Sequence, residues 1–325
     1  MCVLNADVFK GQATTCCLYE GANGPSQLLR IPPTSITVCL GGLLAFLGTR
    51  NEKTSEMLKF LKEGFGWRWR LFRNVQYLKS HFRNGEELSR SYVQKTSCDR
   101  AILKDGRTLR HPPGQIGFAQ LILEVWKDEV YTGKFYSPKK GDVVIDAGAN
   151  IGVFSVLLSM LSPECRVLAF EPFAENFEFL KSNLESFAPN KVRAYQAALS
   201  KESGKSEVIS VGNRSQDHRL KLVDSSRNEK TGQEVVVYSL EDVIEAANSP
   251  VIHLFKCDIE GSEFDLLEDA TAEQLRMVER FAIEYHNHVR AGTADFLRKK
   301  LSTTHRVEQF PAPGDLYGML YAVRK

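Results

Sequence analysis

A chain of 325 residues is long enough to bury a large core and to hold one large domain with an appendage. Its 42 basic and 40 acidic residues leave a net charge of +2, which excludes bulk electrostatic attraction to nucleic acid or to anionic membranes as the basis of function. Seven scattered cysteines without a CxxC pair exclude a disulfide framework and a cysteine-based zinc site, and fit free thiols in a reducing, cytoplasmic compartment.

Residues 1–50 carry little periodicity, and the clusters "EGANGPSQ" and "IPPTS" predict irregular structure there. The apolar run "ITVCLGGLLAFLG", Ile36 to Gly48, is too short to cross a bilayer as a helix. It reads as a packed piece of an N-terminal segment, with membrane association as the alternative. Residues 51–100 favour helix, with Leu58, Leu61, Phe65, Trp69 and Phe72 recurring at spacings of three and four. That stripe is expected to bury. Arg68, Arg70, Arg73, Lys79 and Arg83 interleave with Trp67, Trp69 and Tyr77, a pattern that covers the rim of a helix contact or docks on anionic lipid. The packing reading makes this segment a cap over a substrate site or an arm for homo-oligomerisation.

"AILKDGRTLR", Ala101 to Arg110, predicts a hairpin turning at its Asp-Gly, and Ala119 to Tyr131 predicts a helix. From there strands are predicted at 142–147, 166–170, 192–197, 252–258 and 278–284, alternating with helices near 152–161, 174–186, 240–247, 263–270 and 293–301. Alternation at these lengths implies an α/β fold with a mostly parallel sheet covered on both faces. The last strands, Arg306–Phe310 and Leu316–Val323, flank "PAPGD" without room for a crossover helix, so they pair antiparallel. Ser200 to Thr231, polar and poor in apolar residues, reads as a surface insertion.

The stretch "VVIDAGANIGVFSV", Val143 to Val156, joins a buried strand to a helix through Asp146, Gly148, Asn150 and Gly152. In such a sheet the first strand-to-helix turn contributes much of the ligand site. It is not GxGxxG, and the acid repels a phosphate while it can hold an ammonium. S-adenosylmethionine therefore fits better than a dinucleotide, and an NAD-linked oxidoreductase is the weaker alternative. Glu171, at the end of the second strand, is placed to accept hydrogen bonds from two ribose hydroxyls. "HLFKCDIEGSEF" sets Lys256, Asp258 and Glu260 at alternate positions, and "FAIEYHNH" does the same for Glu284, His286 and His288. Asp258, Glu284 and His286 can form a proton-accepting network, with His286 or Asp258 as the base, or three ligands for a divalent ion. The metal-free form is preferred, because magnesium favours more oxygen donors. Glu263 reads as a helix N-terminal charge, His288 as a loop residue, and Cys257 as a buried filler.

"VVIDAGANIGVFSV", "AFEPFAENFEFLKSNL", "AYQAALS", "LFKCDIEGSEFDLLEDA" and "FAIEYH" occur in this order. Together they resemble the FkbM family of adenosylmethionine-dependent methyltransferases over about Ala101 to Arg324. The resemblance implies a class I methyltransferase Rossmann-like sheet, mostly parallel with one antiparallel strand, and methyl transfer to a hydroxyl of a small molecule or sugar. Nitrogen acceptors and a non-catalytic scaffold that retains the fold remain as alternatives. It also implies that Asp146, Gly148, Asn150 and Gly152 line the methionine end of the cofactor. Glu171 would bind the ribose, and Ala197, Ala198 and Leu199 would lie near the adenine. The domain so implied spans 101–325 and leaves the mainly helical extension outside the resemblance.

Overall fold

The computed structural model describes residues 16–18, 28–30, 52–187, 191–210, 218–221 and 233–325. The apolar run Ile36 to Gly48 lies outside them. The chain divides into two compact units, Met1–Trp69 and Arg70–Lys325. In the first, β1 (Cys16–Leu18) pairs antiparallel with β2 (Leu28–Arg30), a short ladder within a segment expected to be irregular. Helix α1 (Glu52–His81) begins in this unit and continues into the second. Among the described residues no helix is long and apolar enough to cross a membrane.

From Arg70 onward α1 contributes Leu78 to the second unit's core, with the buried Asn74 one turn before it and the buried Phe82 just past the helix end. The two members of the expected stripe whose side chains are described are not buried: Trp69 is 58% and Phe72 50% exposed, and the side chains of Leu58, Leu61 and Phe65 lie outside the described ones. The buried positions in the described part of this helix, Asn74 and Leu78, are ones that the apolar periodicity did not single out. Helix α2 (Gly85–Gln94) adds Leu88 to the same core. The hairpin forms as β3 (Arg100–Ile102) and β4 (Thr108–Arg110), with Gly106 at φ 98° in its turn. The predicted helix at 119–131 is shorter: α3 (Phe118–Ile122) runs into a π-helical turn at Leu123–Lys127, and Tyr131 lies in the following turn.

The main sheet contains β5 (Val143–Ala147), β6 (Arg166–Phe170), β7 (Val192–Tyr195), β12 (Leu254–Cys257), β13 (Arg280–Tyr285), β14 (His305–Pro311) and β15 (Gly318–Arg324). Their spatial order is β14-β15-β13-β12-β5-β6-β7, and only β15 runs against its neighbours. This is the class I methyltransferase order, with the one antiparallel strand where the sequence placed it. Side chains alternate between two cores. Val144, Val167, Ala169, Leu254 and Ala282 face the side that holds α4 (Val153–Leu161) and α5 (Ala174–Phe187). Ile145, Leu168, Phe255 and Phe281 face the other, which holds helices Leu240–Ala247 and Thr293–Leu301.

The predicted third strand splits at Gln196. Its first part stays in the main sheet, while β8 (Ala197–Leu199) pairs with β11 (Gln233–Tyr238) in a second sheet. Two strands from the expected surface insertion, β9 (Gly204–Ser210) and β10 (His218–Lys221), complete it in the order β10-β9-β11-β8. Antiparallel edge pairing needs only one apolar face, so a polar composition hid these strands. Cys98, Cys165 and Cys257 are buried free thiols.

Candidate active site

The chain order reverses between β5 and β12, and a crevice opens there beyond the carboxyl ends of the strands. It forms a cavity of about 680 Å³ whose described walls run from Gln120 to Met319, so no described residue of the helical extension before Gln120 lines it. That volume suits a cofactor-sized ligand.

The turn after β5 shapes one wall. A Cβ on Gly148, at φ 73°, would lie 1.7 Å from the Asp258 carbonyl oxygen, so only glycine lets the exit of β12 pass this closely. Asn150 takes the left-handed conformation at φ 52°, which turns its amide toward Glu171. Glu171 accepts that N–H at 2.8 Å on one carboxylate oxygen and the Phe173 N–H at 3.0 Å on the other. Burial pushes its carboxyl up to about 7 against the pull of these donors. Gly148, Asn150, Glu171, Ala197, Ala198 and Leu199 all line the cavity. Gly152 does not; a Cβ there would meet Leu180 Cδ1 at 2.6 Å, which makes it a packing position against α5.

Asp146 is fully buried and lies beneath the turn rather than on the cavity wall. Its carboxylate accepts from Ser155 Oγ at 2.7 Å and pairs with Lys256 Nζ at 3.1 Å. Lys256 also donates to the carbonyls of Ala147 and Gly148, at 3.0 and 2.6 Å. Its ammonium thus braces the turn from below. Lys256 points to a buried carboxylate rather than out to solvent.

The far end of the cavity is acidic. Tyr131, which sequence reasoning did not single out, donates its hydroxyl to Asp258 Oδ2 at 2.9 Å and reaches Glu284 Oε2 at 3.3 Å. Burial, then the charges of Asp258 and Glu284, raise this phenol well above its ordinary value, so it remains a donor. Burial and the Asp258 charge also push Glu260 and Glu284 up to about 8 each. Glu124, from the π-helical turn, lines the same end.

His286, just beyond β13, is 5% exposed and is not part of the cavity wall. Its Nδ1 is 2.8 Å from Glu263 Oε1 and its Nε2 is 3.4 Å from Glu260 Oε2. Burial opposes its charge, but the Glu263 hydrogen bond and the nearby carboxylates raise its pKa to about 10. Glu263 stands at the start of a helix, as expected, but it does more than carry a charge there. It is fully buried, and besides His286 it accepts the Ile259 and Gly261 N–H groups, at 3.3 and 3.0 Å. Its place at the first position of a helix was legible, but the inward turn of its side chain depends on the long-range approach of His286. Asp258 and Glu284 thus meet at Tyr131, while His286 joins Asp258 through the Glu260 side. His288 lies in a turn, with its ring 5.6 Å from that of His286. Phe310, Tyr317 and Met319, from the two arms of the last hairpin, add an apolar rim; the sequence marked them only as strand residues.

The Methyltransferase FkbM domain matches residues 146–308. "Methyltransferase 1" of Beauveria bassiana is 28% identical over 185 residues, covering 51% of this chain and 74% of its own. "31-O-demethyl-FK506 methyltransferase FkbM" of Streptomyces tacrolimicus is 29% identical, covering 54% of this chain and 78% of its own. "Hexuronic acid methyltransferase AglP" of Haloferax volcanii is 26% identical, covering 51% and 68%.

Proposed function

This chain belongs to the methyltransferase FkbM domain family, and on that basis we propose that it transfers the methyl group of S-adenosylmethionine to a hydroxyl oxygen of a small molecule or sugar bound at the Tyr131 end of the cavity. The names of the Streptomyces and Haloferax relatives, which specify an oxygen position and a hexuronic acid, favour oxygen and a polyol over a nitrogen acceptor. The cofactor half fits the group. Glu171, which accepts from the Asn150 and Phe173 N–H groups and from the Asn176 side chain, still faces the cavity with its carboxylate toward the ribose diol, and the bare Cα of Gly148 lets the methionine end lie close to the backbone. Ala197 and Ala198 leave room for a flat base. When bound there, adenosylmethionine supplies a methyl carbon on a sulfonium whose departure as a neutral thioether needs no acid.

The acceptor oxygen must lose its proton as the new bond forms. Glu284 takes that proton on a carboxylate oxygen. The Tyr131 hydroxyl fixes Glu284 and Asp258 relative to each other, and Asp258 and His286 hold the acceptor end in place. The observation that carries this reading is the Tyr131 bridge between two carboxylates in the same cavity that Glu171 lines. Replacing Glu284 by Gln should lower kcat by about 10²- to 10⁴-fold and leave affinity for adenosylhomocysteine unchanged. Labelled-methyl transfer to a panel of hydroxylated sugars and natural products, with calorimetry on the same variant, makes the test. Wild-type turnover in Glu284→Gln would remove the assigned role.

A further inference from the structure

The acidic end of the cavity contains more carboxyl groups than proton removal requires. Among the described residues five carboxyl groups line the cavity, those of Glu124, Glu171, Asp258, Glu260 and Glu284, against one ammonium, that of Lys256, which is paired with Asp146. Within this excess, Asp258, Glu260 and His286 each offer one donor atom, and the three atoms lie within 4.8 Å of one another. Their places follow from the topology. β12 and β13 are parallel neighbours, with Cys257 opposite Ile283, so the residues that leave their carboxyl ends emerge side by side.

The imidazole is oriented for ligation. The buried Glu263 holds Nδ1, which leaves Nε2 turned to the Asp258–Glu260 side. A carboxylate behind the distal nitrogen is the arrangement that fixes the tautomer of a metal-bound histidine. Beside it, Glu263 Oε2 is fully buried and has no hydrogen-bond partner among the described residues, so negative charge next to the ring is left without a local donor. One imidazole nitrogen with two carboxylate oxygens is a mixed donor set that suits manganese, iron or zinc better than magnesium.

We propose that Asp258, Glu260 and His286 form a site for a first-row divalent cation, which holds the acceptor oxygen beside Glu284. The proposal rests on the methyl-transfer reading for its role but not for its existence, since the three donors come together whether or not adenosylmethionine binds. The cation draws electron density from the acceptor O–H, the proton passes to Glu284, and the oxygen lone pair forms the new carbon–oxygen bond while the carbon–sulfur pair leaves with sulfur. Glu263 is then a positioning residue that acts through His286.

The test uses the full chain, stripped with a chelator and titrated with manganese chloride in the absence of adenosylmethionine. Electron paramagnetic resonance reports the loss of the free-ion signal, and calorimetry gives the stoichiometry. One equivalent should bind. Glu260→Gln and His286→Ala should each weaken binding at least tenfold, and Glu263→Gln by about 10- to 100-fold, with circular dichroism and melting curves confirming that each variant is folded. Absence of stoichiometric binding, or equal affinity in the wild type and the folded Glu260→Gln variant, would overturn the site. Adenosylhomocysteine binding is measured separately on the same samples. If it fails while manganese binds, the methyltransferase reading falls and the cation site stands.

Discussion

Glu171 offers the sharpest perturbation of the cofactor half. In Glu171→Gln the amide oxygen can still accept one of the two backbone N–H groups, from Asn150 or Phe173, but the amide nitrogen turns a donor toward the other. Loss of two charge-assisted hydrogen bonds to the ribose should cost about 2–4 kcal/mol, or roughly 30- to 700-fold in Kd for adenosylhomocysteine. The wild type should also show a pH dependence that the variant lacks. Because the carboxyl is raised from its ordinary 4.5 to about 7, the ionised form that accepts both hydroxyls is depleted at lower pH. Kd should therefore rise about tenfold per pH unit below that pKa and level off above it. The unliganded protein follows the opposite sign. A carboxyl raised on folding stabilises below its unfolded value, and that stability, on the order of 3 kcal/mol, is lost as pH rises through its folded value. Calorimetric titrations at pH 6, 7 and 8, with melting curves of the free protein, read both effects. Wild-type affinity in a folded Glu171→Gln variant, or a wild-type Kd that does not change with pH, would refute the ribose assignment.

Gly148→Ala should abolish adenosylhomocysteine binding and lower the melting temperature, because its Cβ would lie 1.7 Å from a backbone oxygen that cannot rotate away; calorimetry and a thermal melt of the purified variant check it. His111, buried against Phe118, has its pKa lowered to about 4 by burial, so the unfolded chain takes up a proton that the folded one refuses. Stability should fall by on the order of 3 kcal/mol as pH drops from about 6.5 toward that value, and His111→Gln should flatten this limb in urea melts.

The sheet was legible because its central strands β5, β6, β12 and β13 are mainly apolar runs between turn residues, and the helices between them leave one topology open. The hairpin at the end was legible from the length of "PAPGD" alone. What escaped was set by contacts between distant segments. β9 and β10 carry polar residues because they pair in a small sheet, and on α1 the apolar side chains of Trp69 and Phe72 drew the reading while Leu78 is the one that is buried. At the site, Glu171, Asp258 and Glu284 could be named because each stands at the carboxyl end of a strand. Tyr131 could not, since it lies in a turn whose approach to Asp258 spans 127 residues of chain.

The Asp146–Lys256 pair connects the two halves of the site. The register of β5 against β12 places these residues opposite each other, so their side chains emerge on the same face of the sheet. Burying such a pair costs about as much in desolvation as its attraction returns, so its contribution to stability is small. Its geometric effect is larger. Lys256 donates to the carbonyls of both Ala147 and Gly148, and two residues later the Asp258 carbonyl lies against the Cα of Gly148. The turn that meets the cofactor and the strand exit that carries the acceptor-side acid are therefore fastened to each other. A shift in one displaces the other, which gives "DAGANIG" and "KCDIEGSEF" a shared physical reason to occur in one chain: the first sets the position of the donor, and through Lys256 and Gly148 it also sets where Asp258 emerges.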